Sequence, residues 1–362
     1  MEFPPFELLH WFEGAEGPDY LHISRSEILG FRFHEFGHEF PDLNLGEASP
    51  RGTPKLRSLI GAQHQTWPEQ VLVCNGASEA NFLAQAALVG PGDEAIVESP
   101  QYPPLRDGLV GFGATVKRVP RLAAEKWRFD FDALERAITA RTKLLVLTNA
   151  NNPTGAIMSG ADLKRLADLA EAHKFHVHID ETFRELAFDQ APPSATTFGP
   201  RFVVTSTLTK AFGLGGLRLG WVVAAPDVLE RIKAVKDYAS ICPNRISEEL
   251  AVWALSRKAG FLARAKRICD ANRPVVRAWL DRNPNVECVL PDHGNLCFPR
   301  MPVSVDELAD RLKEQYRVVI APGRFFGEGE HFRVGYGERK ETLEKGMERV
   351  DSAVKALARK KH

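Results

Sequence analysis

From about residue 70 onward, short runs of β-branched and apolar residues alternate with stretches of helical pattern. Strands that alternate with helices of this length predict an α/β fold with a mostly parallel, doubly wound sheet. Ligands of such sheets bind beyond the carboxyl ends of the strands, so we expect the functional site there. The predicted strands are 71–74, 94–98, 114–119, 143–148, 175–180, 201–207 and 219–225, and the predicted helices between them are 78–89, 132–140 and 160–174.

The pattern changes after about residue 226, where long helical stretches replace the regular alternation. This change predicts a second, smaller α+β domain, onto which the Pro/Gly-rich N-terminal stretch packs. We therefore predict a large domain over residues 48–245 and a small domain formed by residues 1–47 and 246–362 together. The elements predicted after residue 226 are helices at 226–239, 245–282 and 304–316, short strands flanking the turn at 291–295, a strand around 332–336 and a C-terminal helix.

Charge and cysteine content limit the partners and the compartment. The 362 residues include 47 Lys plus Arg and 47 Asp plus Glu, so no net charge attracts nucleic acid or an anionic membrane. No apolar run approaches the length of a membrane span, and the first residues are acidic where a signal peptide is basic. The five cysteines form no C-x-x-C pair, which predicts reduced thiols and a cytoplasmic protein.

The segment TSTLTKAFGLGGLRLGW, at 205–221, contains the first candidate for chemistry. A β-branched strand ends in small hydroxyl residues, and Lys210, a glycine-rich turn and Arg218 follow. Hydroxyls, a flexible backbone and an arginine suit a phosphate group. A lysine in such a pocket can become a nucleophilic amine. The alternative is an ordinary surface lysine beside a turn.

Three further signals lie at strand ends or helix starts. Asp180 ends the apolar strand FHVHID, where it could be a counter-ion for a ring nitrogen, a helix N-cap or a metal ligand. The segment NANNPTG, at 149–155, marks a sharp turn whose side-chain amide could donate to an aromatic hydroxyl. Gly76, Ala77 and Ser78 open a helix, so their backbone N–H groups could bind phosphate, although an N-cap serine explains them equally.

The order and spacing of these motifs resemble those of the class I/II aminotransferases, which are fold-type I enzymes dependent on pyridoxal 5'-phosphate (PLP). The resemblance implies a homodimer with active sites at its interface and ping-pong transfer of an amino group between an L-amino acid and a 2-oxo acid. The matching motifs span most of the chain: GASEA (76–80), SPQYPPL (99–105), NNPTG (151–155), DETF (180–183), TLTK (207–210), GLRLGW (216–221) and FRVGYG (332–337).

The resemblance also implies a role for each matching residue. Lys210 would carry PLP as a Schiff base and then shuttle the substrate proton, while Asp180 would pair with the pyridine nitrogen. Arg333 would bind the substrate α-carboxylate as a bidentate fork, unless it is a strand arginine paired on the surface. The other implied contacts are Asn152 at the ring 3-oxygen and near the substrate, Tyr102 on the ring face, and Ala77, Ser78, Thr207, Thr209 and Arg218 at the phosphate.

Two positions depart from the family pattern. Phe183 stands where the family usually has tyrosine, so one hydrogen bond to the ring 3-oxygen is expected to be missing. Glu47 stands before the segment SPRG, where the family often has a tyrosine that reaches the partner subunit's phosphate. These changes affect the expected cofactor affinity and reaction specificity more than the fold.

Other functions remain open at this point. The segment HEFGH matches the zinc pattern H-E-x-x-H through His34, Glu35 and His38, but Gly37 makes the required helix doubtful. A non-catalytic regulator would need a DNA-binding segment for which the chain has no room. Among PLP enzymes, a decarboxylase, a β-lyase or a synthase of an unusual amino acid shares the same motifs. Arg245 is a guess for a residue that contacts the substrate side chain.

Overall fold

A computed structural model of the chain describes residues 2–15, 17–37 and 43–360. The helices are α1 (Glu7–Phe12), α2 (Pro54–Gln63), α3 (Ala77–Leu88), α4 (Pro103–Gly111), α5 (Phe131–Ala137), α6 (Gly160–His173), α7 (Pro226–Lys236), α8 (Arg245–Ser256), α9 (Lys258–Arg282), α10 (Val305–Gln315) and α11 (Lys340–Lys360). The strands are β1 (Leu21–His22), β2 (Val71–Cys74), β3 (Glu94–Ser99), β4 (Thr115–Leu122), β5 (Arg128–Phe129), β6 (Thr142–Thr148), β7 (His176–Asp180), β8 (Phe202–Thr207), β9 (Gly220–Val223), β10 (Leu296–Cys297), β11 (Val318–Val319), β12 (Ala321–Pro322) and β13 (Phe332–Gly335).

The main sheet has the strand order β2-β9-β8-β7-β6-β3-β4-β5. Strands β4, β3, β6, β7 and β8 run parallel, whereas β9, β2 and β5 pair antiparallel to their neighbours. The predicted α/β fold with a mostly parallel sheet is therefore confirmed. The carboxyl ends of β6, β7 and β8 lie side by side, which brings the segments that follow them to one edge of the sheet.

Both faces of the sheet are covered, as the strand sequences require. Successive side chains of a strand point to opposite faces, and in β6 Leu145 and Leu147 enter one core while Leu144 and Val146 enter the other. Helices α3, α4 and α7 pack on the second of these faces, and α2, α6 and α8 pack on the first. Strands buried on both faces read as continuous apolar runs, which is why they are visible in the sequence.

The C-terminal part contains a small antiparallel sheet in which β13 lies between β10 and β12. Strand β1 pairs parallel with β11, which ties the N-terminal segment to this part of the chain. The division of the chain at residues 48 and 245 stays a prediction. In the ranges described above, no helix is both long enough and apolar enough to cross a membrane.

Two local expectations differ from the structure. The helical pattern at 245–282 is interrupted at Arg257, whose backbone angles are φ −119° and ψ 22°, so two helices replace one. Apolar periodicity continues across this single residue, and periodicity alone therefore does not reveal the break. The strand expected before the turn at 291–295 is reduced to an isolated bridge between Glu287 and Arg300.

Candidate active site

A cavity of about 540 Å³ opens at the carboxyl ends of β6, β7 and β8. It is closed by the start of α3, by the N-terminal segment around residues 22–27 and by β13. The structure brings every predicted cofactor and substrate residue to its wall, although these residues come from distant parts of the sequence. They are Ala77, Ser78, Tyr102, Asn152, Asp180, Phe183, Thr207, Thr209, Lys210, Arg218 and Arg333.

One corner of the cavity is built to hold an anion. Helix α3 begins after Gly76, which has φ 88°, and no side chain caps its first N–H groups. A Cβ atom at Gly76 would lie 2.7 Å from Nη2 of Arg218, so only glycine lets this guanidinium approach the helix start. The hydroxyls of Thr207 and Thr209 lie 3.0 Å apart in the same corner. Free N–H groups at a helix start, hydroxyls and a guanidinium together fit a phosphate.

Asp180 lies at the end of β7 and is only 6% exposed. The Thr182 N–H donates to its Oδ1 at 2.9 Å, and Asn81 Nδ2 donates to its Oδ2 at 2.9 Å. Burial raises the pKa of Asp180, and these hydrogen bonds and the charge of Lys210 oppose that shift. The carboxylate is thus held toward the cavity in a place where a protonated ring nitrogen would complete its pairing.

Lys210 follows β8 and points into the cavity. Its Nζ donates to Ser26 Oγ at 2.9 Å and lies 3.3 Å from Glu27 Oε2. The ring of Phe183 is 5.9 Å from the same nitrogen, measured to its centroid. Burial by itself would raise the pKa of Glu27, but the charge and hydrogen bond of Lys210, a backbone hydrogen bond and the charge of Arg25 together lower this pKa overall. A reactive amine therefore sits between a hydroxyl, a carboxylate and an aromatic ring.

Arg333, on β13, is a buried cation with 3% exposure. Its Nε and Nη2 donate to the carbonyl oxygen of Ser24, and its Nη1 donates to Asn152 Oδ1 at 2.9 Å. Its Cζ lies 5.2 Å from the centre of the Phe326 ring. Burial lowers the pKa of Arg333 to about 10, so it is charged at neutral pH. No carboxylate among the described residues forms an ion pair with it, which leaves it suited to an anionic ligand.

Tyr102 is placed at the start of α4, where Pro103 and Pro104 begin the helix. The ring of Phe6, the residue before α1, packs edge-on against it with centroids 5.8 Å apart. Burial raises the pKa of Tyr102 to about 12, which keeps the phenol neutral. A neutral aromatic ring at the wall can stack on a planar ligand.

Several cavity residues were missed in the sequence. Ser26 and Glu27 contact Lys210 but lie in a stretch without turn or strand signals. Asn81 contacts Asp180 and could have been noticed as a polar residue on the apolar face of a predicted helix. Helix α1 and the residue before it supply an apolar rim, and His22, the charged Arg25 and two threonines complete the wall. These further lining residues are Phe6, Leu8, Leu9, Phe12, His22, Arg25, Thr148 and Thr182.

Three sequence hypotheses do not lead to this cavity. Glu47 is exposed and pairs with Asn44, and Arg245 faces Glu249 on α8, so the guess that Arg245 contacts the substrate is not supported within this chain. His38 of the zinc pattern lies outside the described residues. His34 and Glu35 belong to a short 3-10 helix that ends at Gly37, rather than to the α-helix that the pattern needs.

Comparison with known proteins identifies the family. The profile of the aminotransferase class I and II family matches residues 46–350. The chain belongs to this family. It is 29% identical to capreomycidine synthase of Streptomyces vinaceus, over 93% of this chain and 90% of that protein. It is 30% identical to a probable aspartate/prephenate aminotransferase of Thermus aquaticus, over 85% of this chain and 83% of the relative.

The solved structures agree with the sequence comparison. A PLP-dependent aminotransferase from Streptococcus suis 89-1591 superposes with a TM-score of 0.91 at 26% identity, covering 99% of each chain. The aspartate aminotransferase of Thermus thermophilus with maleate superposes with a TM-score of 0.88 at 26% identity, covering 97% of each chain. The resemblance noted in the sequence is thereby confirmed, and so is the fold class.

As a class I and II aminotransferase, the protein uses PLP as its cofactor. The cavity fits that molecule in three independent respects. The N-terminus of α3, which has no side-chain cap, and Arg218 can bind the phosphate. The buried carboxylate of Asp180 can pair with the basic ring nitrogen. The amine of Lys210 matches the reactive aldehyde carbon.

Proposed function

We propose that the protein transfers an amino group between an L-amino acid and a 2-oxo acid by a ping-pong mechanism, with PLP held covalently on Lys210. The observation that supports this most directly is the meeting of an amine, a buried carboxylate and a buried guanidinium, which has no ion-pair partner among the described residues, in one cavity. The test is a half-reaction screen. Single amino acids are added to the holoenzyme, the absorbance of the bound cofactor is followed, and the released 2-oxo acid is identified.

We propose the following division of binding roles. Ala77, Ser78, Thr207, Thr209 and Arg218 hold the phosphate, and Asp180 holds the protonated ring nitrogen. Tyr102 and Phe183 enclose the ring. When bound, PLP supplies a ring that takes up negative charge from the substrate Cα. Arg333 orients the substrate through its α-carboxylate, and Asn152, which accepts from Arg333, lies where it can contact both molecules.

Lys210 moves the proton in this proposal. With PLP bound, Lys210 would hold the cofactor until the amine of the substrate takes its place, and its Nζ would then be free to accept the proton from the substrate Cα. Ser26 Oγ and the Glu27 carboxylate stand beside Nζ and stabilise the ammonium that forms. The same Nζ would return the proton on the cofactor side, which would allow the product to leave as a 2-oxo acid.

The N-terminal segment that lines the cavity carries two charges that can select the substrate side chain. Arg25 is exposed, whereas the Glu27 side chain is 39% exposed and faces Lys210. If Arg25 binds the side chain, aspartate and glutamate react best, and Arg25→Gln lowers their kcat/KM about 10-fold or more. If Glu27 binds the substrate side chain, lysine and arginine react best, and Glu27→Gln lowers the kcat/KM of these two amino acids about 10-fold or more. The half-reaction screen, repeated with each variant, distinguishes the two cases. If the order of preference among amino acids is unchanged in both variants, neither Arg25 nor Glu27 selects the substrate side chain.

A synthase of an unusual amino acid is the second candidate. It is supported by the 29% identity to capreomycidine synthase over 93% of this chain. The two reactions start from the same bound substrate and differ in the product. Transamination releases a 2-oxo acid and leaves the cofactor in its amine form, whereas a synthase returns the cofactor unchanged with a new amino acid. Mass spectrometry of the half-reaction mixture separates them.

Phe183 offers a prediction that concerns cofactor electronics. The Phe183 side chain lines the cavity and cannot donate a hydrogen bond to the ring 3-oxygen. A phenol donor there would stabilise the negative oxygen and make the proton on the linking nitrogen easier to lose. A hydrogen bond to a charged group contributes about 1.5–3 kcal/mol. We therefore expect Phe183→Tyr to lower the pH midpoint of the cofactor's absorbance change by about one unit or more. An unchanged or raised midpoint in a spectral titration would show that Phe183 does not face that oxygen.

We also propose a cytoplasmic homodimer. Each of the five cysteines, Cys74, Cys242, Cys269, Cys288 and Cys297, is a free thiol, which suits a reducing compartment. Three large apolar side chains within nine residues of sequence, Tyr238, Ile241 and Ile246, are exposed, Tyr238 to 96%. Exposed apolar groups of this kind are typical of surfaces that a partner covers.

A further inference from the structure

The carboxylate of Asp180 accepts a hydrogen bond from the side-chain amide of Asn81, a residue outside the motif positions to which the family resemblance assigns a role. Both of its oxygens accept hydrogen bonds, one from the Thr182 N–H and one from Asn81 Nδ2, each at 2.9 Å. No lysine or arginine of the described residues forms an ion pair with Asp180, and Lys210 is paired with Glu27 instead. In a buried site, the ionised carboxylate is therefore stabilised chiefly by donors, and Asn81 is the side-chain donor.

The Asn81 amide is held in one orientation from behind. Thr205 Oγ donates to Asn81 Oδ1 at 2.5 Å, and His178 Nε2 lies 3.2 Å from Asn81 Oδ1 and 3.1 Å from Thr205 Oγ. The reversed amide would place Oδ1 against the Asp180 carboxylate and lose the Thr205 donor. Burial lowers the pKa of His178 to about 3, so this imidazole is neutral. Its Nε2 faces Asn81 Oδ1, which can only accept, and we therefore assign the ring proton to Nε2. The donors thus point in one direction, from His178 and Thr205 through Asn81 to Asp180.

The strand geometry places these groups on one face. His178 and Asp180 are two residues apart on β7, so their side chains share a face of the sheet. Thr205 is the register partner of Asp180 on β8. Asn81 descends from α3, which packs on that same face, and is 8% exposed. His178 and Thr205 are fully buried and do not line the cavity, whereas Asn81 and Asp180 both lie in its wall.

We propose that Asn81 is a positioning residue, whose amide, fixed by Thr205 and His178, keeps Asp180 ionised and aimed at the ring nitrogen of the cofactor. This inference rests on the proposed function, in which Asp180 pairs with that nitrogen. Hydrogen bonds to a charged group are the stronger class, and buried polar networks that are satisfied hold a single geometry. Loss of the Asn81 amide should therefore make the cofactor ring a weaker acceptor of negative charge, while the binding of the substrate α-carboxylate by Arg333 stays unchanged.

The test replaces Asn81 with leucine, which has a similar shape and no donor. We expect kcat to fall about 10- to 100-fold while KM for the amino acid changes little. Nitrogen-15 NMR of the holoenzyme with PLP labelled at the ring nitrogen should show a shift toward the unprotonated ring. In an Asp180→Asn background, Asn81→Leu should lower kcat by less than about twofold, because coupled residues are not additive. Gln85→Leu is the matched control.

Gln85 is one turn further along α3, is 1% exposed and donates its amide to the Leu105 carbonyl rather than to Asp180. Equal losses of kcat in Asn81→Leu and Gln85→Leu, or an unchanged nitrogen-15 shift, would overturn the proposal. If Asn81→Leu does not fold, Thr205→Val provides the test. This variant removes the hydrogen bond that orients the Asn81 amide, and it should shift the nitrogen-15 resonance in the same direction. No shift in Thr205→Val counts against the proposal. The NMR signal is measured without turnover, so it tests the role of Asn81 even if the protein does not catalyse transamination.

Discussion

Replacing Lys210 with alanine will remove covalent attachment of the cofactor and nearly all transamination. Lys210 is the amine that lines the cavity between Ser26, Glu27 and Phe183, and the proposed proton transfer passes through its Nζ. General acid–base catalysis alone contributes about 10²- to 10⁴-fold, so kcat should fall by at least about 10³-fold when attachment is also lost. The measurements are the cofactor's absorbance spectrum and steady-state rates with the best amino acid from the screen.

Two controls separate catalysis by Lys210 from a structural role. Borohydride reduction of the native holoenzyme, followed by peptide mapping, should fix the cofactor on Lys210, and labelling of another lysine would disprove the assignment. In Lys210→Ala, the space left by the side chain borders the Ser26 hydroxyl and the Glu27 carboxylate. A small alkylamine can bind there as a cation, and its addition should restore part of the rate in proportion to its concentration.

The fold could be predicted from the sequence because strands buried on both faces form continuous apolar runs. The run at 71–74 matches β2 residue for residue, and the run at 201–207 differs from β8 by one residue. Short pairings were not foreseen. Strand β1 consists of Leu21 and His22 and exists only because the distant β11 is beside it. A segment of two residues is too short to show the alternation of apolar and polar residues that identifies a strand, so its conformation depends on tertiary contacts.

The candidate site was predictable where chemistry coincides with a strand end or a helix start. Asp180 ends β7 and Ala77 opens α3, so local patterns fix their position at the sheet edge. Glu27 has no such marker. The Ile28 N–H donates to the Lys210 carbonyl at 3.1 Å, and the Leu29 N–H donates to the Gly337 carbonyl at 2.7 Å. These long-range hydrogen bonds carry Glu27 to the amine, and no local pattern encodes them.

Asn81 is an intermediate case. Its polar side chain on the buried face of α3 is visible in the sequence as an exception to the apolar pattern. Its partner is not visible, because His178, Thr205 and Asp180 meet it only when α3 lies over β7 and β8. A buried polar residue in a helix thus predicts a hydrogen bond, whereas the identity of its acceptor requires the fold.

The guanidinium of Arg333 has the geometry of a carboxylate receptor with two donors to spare. A guanidinium carries five N–H groups. Three of them are engaged, by the two bonds to the Ser24 carbonyl and the one to Asn152 Oδ1. One N–H on Nη1 and one on Nη2 remain, and N–H groups on these two neighbouring nitrogens are the donors with which a guanidinium can bind a carboxylate bidentately. Ser24 and Asn152 fix the plane of the fork before substrate arrives.

Arg333→Ala is therefore expected to lower kcat/KM for amino acids by about 100-fold or more, because two charge-assisted hydrogen bonds of about 1.5–3 kcal/mol each are lost. PLP affinity should change much less, since the phosphate corner lies at the start of α3. Arg333→Lys keeps the charge but not the fork and should recover only part of the loss. A primary alkylamine lacks the carboxylate, so its slow reaction should be nearly insensitive to Arg333→Ala. Equal losses for amine and amino acid, or an equal loss of PLP binding, would instead make Arg333 a structural support for Ser24 and Asn152.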